Sequence, residues 1–485
     1  EDGSFRVLQM ADIQDGPNVL PDTIRLIREV IRKADPDLVV FTGDQIRGYD
    51  PAYIDTFLRR RGEEPGARVR AVTEVEAKLR GIKRRARDRV NNRLLAMKSD
   101  GSNPDVQQTA STASTTSTLV YSTTSDSQDV PTTLDELMDE TRDKVRRTFA
   151  GFLGPVIEAE VPFAATYGNH DFQCGILADE QDGIYREFPG CLNPVDSLEP
   201  GTFALPIEAS DGSGRVAMSV MMVNSGDYAG KPEENDAQYP AYVVNPRGLD
   251  LADSDGYGTP SPEAIDWLGA VQSELGERNG DGKPVPAIAF QHIPPQEFYD
   301  CLREVPAYTP NAVEGAREFA GHCYVLDRDV CRPGSQLGEA IGCADVNVGE
   351  VDALREAGGY FALFCGHDHK NSFVGHVHDI DLGYAPTCGF ECYGPKSRFR
   401  GIRLFEFRED NPMAYVTRML TWGDLVGRYS SNELRVFFED HCVTDLIGVR
   451  NELRRPQVSA TLLGASAVAC GAIGYAVRGL LRKSQ

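Results

Sequence analysis

An apolar strand, an amphipathic helix and a second apolar strand open this chain, and that order leaves few folds available. Phe5–Met10 reads as a strand. From Asp22, the expected cap, to Lys33, the residues Ile24, Ile27, Val30 and Ile31 share one helical stripe. Leu38–Thr42, "LVVFT", is apolar up to its last residue. A strand without a polar face is buried on both sides, and strands joined through a helix run parallel. The opening therefore predicts an α/β fold whose helices cover a sheet with parallel strands. The same theme returns in "VPFAATYGNHD", "RVAMSVMMVNSGDY", "VPAIAFQHIPP" and "GGYFALFCGHDHKN", each an apolar run ending in a polar turn. Helices are expected near Leu134–Ile157 and over Ser261–Leu275, the latter started by Ser-Pro. Asp381–Thr387, Gly401–Phe407 and Ala414–Leu420 alternate and are expected to pair antiparallel.

Two stretches stand outside this pattern. The main domain is expected over residues 1–50 and 134–425, interrupted by an insertion at 51–133. Within it, Arg59–Lys98 carries 14 Lys/Arg against 5 Asp/Glu, a net charge of +9, and the stretch "VTEVEAKLRGIKRRARDRVNNRLLAMK" is expected to form a basic helix. The rest of a −23 chain thus carries −32, which argues against nucleic acid as a partner of the body. A tract follows, Thr109–Ser127, in which 13 of 19 residues are Ser or Thr, too poor in apolar surface to fold alone. At the other end, a helical segment at 426–457 leads to an expected membrane anchor at 458–481. Its core, Val458–Val477, is 20 residues without a charge, matching the ~20 needed to cross a bilayer. Arg454 and Arg455 precede it, and Arg478, Arg482 and Lys483 follow it. The expectation is a single-pass C-terminal anchor in the cell membrane, the alternative being a helix buried at the domain's end. Eleven cysteines cannot all pair within the chain, and Cys365 and Cys470 lie in apolar runs, so the domain is expected on the cytoplasmic side. Local bridges among Cys301, Cys323, Cys331 and Cys343 stay open.

The chemistry lies where the strands end. Five polar turns follow predicted strands: Asp12; Gly43–Asp44; "GNHD" at Gly168–Asp171; His292; and "GHDH" at Gly366–His369. In an open α/β sheet, ligands gather at the carboxyl ends of the strands. Carboxylates, an Asn oxygen and imidazoles form a mixed O/N donor set suited to Mn, Fe or Zn rather than Ca. A single GD or strand-end His is commonly structural. The ordered set is far more specific. The "GHVH" at Gly375–His378 repeats the spelling without a long apolar strand before it, so His376 and His378 are expected at the surface. His322 and His441 have no motif around them and default to structural roles.

The order D-x-(H), GD, GNHD, H, GHxH resembles the calcineurin-like metallophosphoesterases. "VNSGDYAG", "AIDWL", "FQHIPPQEF", "GCADVNVG" and "FCGHDHKNSF" resemble the purple-acid-phosphatase-related branch, which includes the plant proteins named probable inactive purple acid phosphatases. The likeness covers most of Phe5–Leu420. It implies a four-layer αββα sandwich holding two divalent or mixed-valence metal ions. Asp12, Asp44 and His369 would hold one ion; Asp44, Asn169, His292 and His367 would hold the other. A metal-held hydroxide would attack a phosphomonoester, or a diester, in line. His170 would face the leaving group, with Asp171 orienting it. Two positions depart from the family pattern. Arg47 stands where the purple members carry a tyrosine, so no purple colour is expected. Gln14 stands where an imidazole is usual, which leaves a weak amide oxygen as the ligand at best.

The reading is a membrane-tethered metallophosphoesterase acting on a phosphorylated small molecule or a phosphoprotein. The alternative is a weak or inactive pseudo-phosphatase serving as a binding protein or membrane scaffold.

Overall fold

A computed structural model of the chain describes residues 3–48, 50–60, 133–228, 256–441, 446–464 and 466. The first sheet contains β1 (Ser4–Met10), β2 (Leu38–Thr42), β3 (Phe163–Thr166), β13 (Gly401–Arg408) and β14 (Val416–Thr421), in the order β14-β13-β1-β2-β3. The second contains β4 (Phe203–Glu208), β5 (Val216–Met222), β6 (Ala287–Gln291), β10 (Tyr360–Cys365), β11 (Val374–Val377) and β12 (Ile380–Tyr384), in the order β11-β12-β10-β6-β5-β4. A small antiparallel sheet pairs β7 (Leu302–Val305), β9 (Cys323–Leu326) and β8 (Val313–Glu314). The middle of each large sheet is parallel, β1-β2-β3 in one and β5-β6-β10-β12 in the other.

Side-chain alternation makes the layers. On β2, Val39 and Phe41 face a helical cluster, while Leu38 and Val40 face the second sheet. On β6, Ala287 and Ala289 face the other helices, while Ile288 and Phe290 point back toward the first sheet. The first sheet is covered by Pro21–Ala34, through Leu26, Ile27, Val30 and Ile31, and by Leu134–Glu158, through Phe149, Phe152 and Leu153. The second is covered by Pro262–Asn279 and Glu350–Ala357. Helices, sheet, sheet and helices thus stack in that order, a mixed α/β body of the layered kind that the resemblance implies.

Several expectations need correction. The first helix starts at Pro21 with Leu20 as its cap, because proline's fixed φ suits the first helical turn. Asp22 instead accepts from the backbone N–H and hydroxyl of Ser431, at 2.7 and 2.6 Å. Strand β12 is antiparallel only to β11 and runs parallel to β10, because all five of its residues are buried and it extends the parallel core. The first residues assigned to the insertion stay in the body: Ile54–Arg60 is a helix that buries Phe57 and Leu58 in the first core. The basic and Ser/Thr-rich segments lie outside the described residues, as does most of Val458–Val477. Among the described residues, no helix is long and apolar enough to cross a membrane. The nine described cysteines, including Cys301, Cys323, Cys331 and Cys343, form no disulfide.

Candidate metal centre

The parallel strands of both sheets end on one edge, and the polar turns meet there. Asp12 follows β1, Asp44 follows β2, and Asn169 and His170 follow β3. His292 follows β6, while His367 and His369 follow β10. The first sheet thus supplies carboxylates, an amide and His170, and the second supplies three imidazoles. Asp12, Gln14, Asp44 and His367 all have positive φ, between 43° and 74°. Such backbone conformations are strained for residues with a side chain and gather at functional sites. The approach is close enough to require glycine at position 168. A Cβ there would lie 2.3 Å from Asp44 Oδ1 and 2.6 Å from the His292 ring.

Two buried groups of donor atoms result, and Asp44 belongs to both. Asp44, His292 and His367 form one group; Asp12, Asp44 and His369 form the other; the donor atoms within each lie within 4.8 Å of one another. The hydrogen bonds explain why these atoms fit a cation. His292 Nδ1 is 2.8 Å from the Thr42 carbonyl, so Nδ1 carries the proton and Nε2 presents its lone pair. That Nε2 faces Asn169 Oδ1 at 3.2 Å, Asp44 Oδ2 at 3.3 Å and His367 Nδ1 at 3.3 Å. His369 is built the same way: Nδ1 is 2.7 Å from the Tyr393 carbonyl, and Nε2 lies 3.2 Å from Asp12 Oδ1. Asp12 Oδ1 is buried without a hydrogen-bond donor. Facing acceptors in a buried space require a positive charge among them. Electrostatics agrees. Burial alone would raise Asp44, but the imidazoles of His292 and His170 outweigh it and hold the carboxyl well below its usual range. Burial disfavours a charged His292, yet Asp44 beside it lifts that imidazole to about 9, so a proton on Nε2 competes with a cation for the same place.

Asp171 does not orient His170. Its carboxylate accepts four backbone N–H groups: Asp44 and Gly168 on Oδ2, and Gln45 and Ile46 on Oδ1, at 2.8–3.0 Å. With both oxygens committed, it shapes the turn that carries Asp44. Burial and the neighbouring Asp44 charge push its carboxyl up to about 7, against those hydrogen bonds. On the Nδ1 side His170 meets Gln173 instead, whose Oε1 is 2.7 Å away. Sequence reasoning missed Gln173, although its position three residues on, one turn of the 3-10 helix Asp171–Cys174, was a readable signal. It also missed Tyr257, edge-on to His367 at 4.3 Å, and Tyr393, stacked on His369 at 4.1 Å.

The other expected positions lie elsewhere. Arg47 pairs with Glu391 at 2.5 Å. His376, His378, His322 and His441 pair with Asp381, Asp300, Glu304 and Glu452 respectively, at 2.7–2.9 Å, and none joins the cluster. His376 lies on strand β11 with its side chain largely exposed.

Gln14 does join it. Its Nε2 lies 2.9 Å from Asp44 Oδ2 and 3.2 Å from His369 Nε2, so an amide N–H₂ donates to two donor atoms of the Asp12, Asp44 and His369 group.

Three curated relatives from Arabidopsis thaliana carry sequence likeness. Probable inactive purple acid phosphatases 29 and 14 are each 23% identical to the chain, over 281 and 287 residues; number 28 is 25% identical over 256 residues. These matches take in 55%, 56% and 52% of this chain. The chain is similar to the purple-acid-phosphatase-related metallophosphoesterases. It spans 60%, 61% and 56% of those relatives' own lengths. No family model matches it. Among solved structures, a dimetal phosphatase from Danio rerio overlays with a TM-score of 0.39 at 12% identity, covering 86% of this chain and 98% of that one. The anchor in the inner membrane complex of Plasmodium overlays at 0.37 and 9% identity, covering 91% and 96%.

Proposed function

We propose that the chain is a metal-dependent phosphoesterase. It hydrolyses a phosphomonoester, or a diester, carried by a small molecule or a phosphoprotein. In this reading Asp12, Asp44 and His369 hold one cation, and Asp44, Asn169, His292 and His367 hold the second. Bound Mn, Fe or Zn would supply Lewis acidity toward the phosphoryl oxygens and acidify water. The chain's own residues do the rest. Asp171 fixes the Asp44 turn through four backbone bonds. Of the four imidazoles at the centre, His170 is the most open, with 28% of its side chain exposed. With Nδ1 held by Gln173, its Nε2 lies 4.0 Å from Asp44 Oδ2, where a protonated ring can donate to a departing alkoxide.

The observation that carries this reading is the environment of His292 Nε2, ringed by Asn169, Asp44 and His367 acceptors while Nδ1 is tied to Thr42. The test is turnover of p-nitrophenyl phosphate with added Mn²⁺, alongside metal analysis of the same sample. His170→Ala is expected to lower kcat by ~10²–10⁴-fold with metal content held, and by less for leaving groups that need no proton. An equal loss for good and poor leaving groups removes the acid role.

Gln14 favours a second reading, a pseudo-phosphatase that binds a phosphorylated partner or acts as a membrane scaffold without turnover. Bound metal with no turnover at any Mn²⁺ concentration would select it. The membrane tether also belongs to the proposal. Removal of everything after Pro456 is expected to leave activity unchanged and abolish membrane partition; aggregation of that truncated chain would favour the buried-helix alternative.

A further inference from the structure

Two amides at the centre share one partner. Asn169 points Oδ1 at His292 Nε2, 3.2 Å away, and its Nδ2 donates to the Tyr228 hydroxyl oxygen at 2.9 Å. Gln173 points Oε1 at His170 Nδ1, 2.7 Å away, and its Nε2 donates to the same oxygen at 3.2 Å. An amide's oxygen and nitrogen ends have nearly the same shape, so packing cannot tell them apart. A hydrogen-bond partner on one end can. The Tyr228 oxygen accepts from both nitrogens, and because a hydroxyl has one proton it could serve at most one reversed amide, which favours both oxygens facing histidine. Its own place is set from the other side. Tyr228 forms an isolated antiparallel bridge with Tyr257 and stacks on that ring at 6.1 Å, and Tyr257 contacts His367.

We propose that Tyr228 is a positioning residue whose hydroxyl fixes the orientation of both amides, coupling the Asn169–His292–His367 cation site to the leaving-group histidine. The inference rests on the phosphoesterase reading for the role of His170, but its first readout does not depend on turnover. With Asn169 reversed, an N–H₂ group would face the cation, and a donor in place of an acceptor repels it. With Gln173 reversed, His170 Nδ1 would meet a donor and lose its protonated form in favour of the Nε2–H tautomer.

The experiment is Tyr228→Phe, which keeps the ring and its stacking, made in the full chain and also in an Asn169→Asp background. Mn²⁺ affinity is measured by equilibrium dialysis. Outer-shell partners of metal ligands are worth roughly 10–100-fold in affinity, and a loss of about tenfold is expected for Tyr228→Phe alone. In the Asn169→Asp background the loss should vanish, because both ends of a carboxylate are oxygen and there is no orientation left to fix. A second readout, the ¹⁵N spectrum of labelled histidine, should move His170 away from the Nδ1–H tautomer. Equal losses in the two backgrounds would make Tyr228 a merely structural residue and overturn the proposal. Unchanged affinity with an unchanged tautomer overturns it as well. A chain that shows both effects yet never turns over phosphate ester would keep the positioning role and lose only the phosphoesterase reading.

Discussion

The two halves of the metal centre share Asp44 and differ in how they are finished. In the Asn169, His292 and His367 half, the outer partners of two donors are set to keep a lone pair pointing inward. Thr42 takes the proton of His292, and Tyr228 takes the N–H of Asn169. In the Asp12 and His369 half, Tyr393 plays the part of Thr42, but Gln14 places a donor among the acceptors. The first arrangement demands a cation, while in the second a side chain of the protein meets part of that demand. The contrast teaches that a donor list alone does not rank two sites; the direction of each second hydrogen bond does.

The largest expected effect strikes both halves at once. Asp171→Ala leaves four buried backbone N–H groups without an acceptor. It should destabilise the fold by about 3–5 kcal/mol, read by denaturant unfolding, and should release both cations. Retention of either one would show that the Asp44 turn holds its shape without this carboxylate. Next is the direct comparison of His292→Ala with His369→Ala. The first should remove the tighter-bound metal equivalent and the second only the weaker, as measured by elemental analysis after dialysis. Equal losses would break the asymmetry between the two halves. Gln14→His should then tighten the weaker half by about tenfold, ~1.4 kcal/mol, and reduce the Mn²⁺ needed for activity. Coincident binding curves for this variant and the parent would mean that the amide already ligates as well as an imidazole. The smallest effect on the centre is expected one layer out, at Glu350. Burial pushes this carboxyl up to about 8, against a hydrogen bond from Gln291, the residue before His292. A raised carboxyl contributes stability that is complete below its ordinary value of 4.5 and lost as pH rises through about 8. Glu350→Gln should flatten that slope in thermal melts across pH 5–8 and leave both metal affinities alone.

Much of this centre was legible because its residues sit where strand patterns stop. An apolar run ending in GD or GNHD announces both the strand and the turn after it, so Asp44, Asn169, His292, His367 and His369 could be named from the chain. The partners of those residues could not. Thr42 and Tyr393 act through backbone carbonyls, which carry no sequence signature. Tyr228 lies 55 residues from Gln173 along the chain and meets it only when β3 and β5 end side by side. Asp171 was misread because the family resemblance implied that it orients His170, whereas the 3-10 turn sends its carboxylate toward the β2 turn. The four-layer order came from the family resemblance, while the cover on both faces of β2 was readable from its unbroken apolar run. The pairing of β12 was not, since a short, fully buried strand has no exposed face to reveal its direction.

Each half of the cluster takes its oxygen and amide donors from one sheet and its imidazoles from the other. Between the sheets lie side-chain packing, formed by Val40, Ile288, Phe290, Phe364, Phe405 and their neighbours, and a few hydrogen bonds such as Gln9 Nε2 to the Cys365 carbonyl at 3.1 Å. A bound ion therefore acts as a rivet through two plates. The spacing of the plates and the hold of the rivet are one quantity, so a core substitution such as Phe290→Leu, far from any polar group, would retune metal affinity, and loading the metal would in turn stiffen the seam.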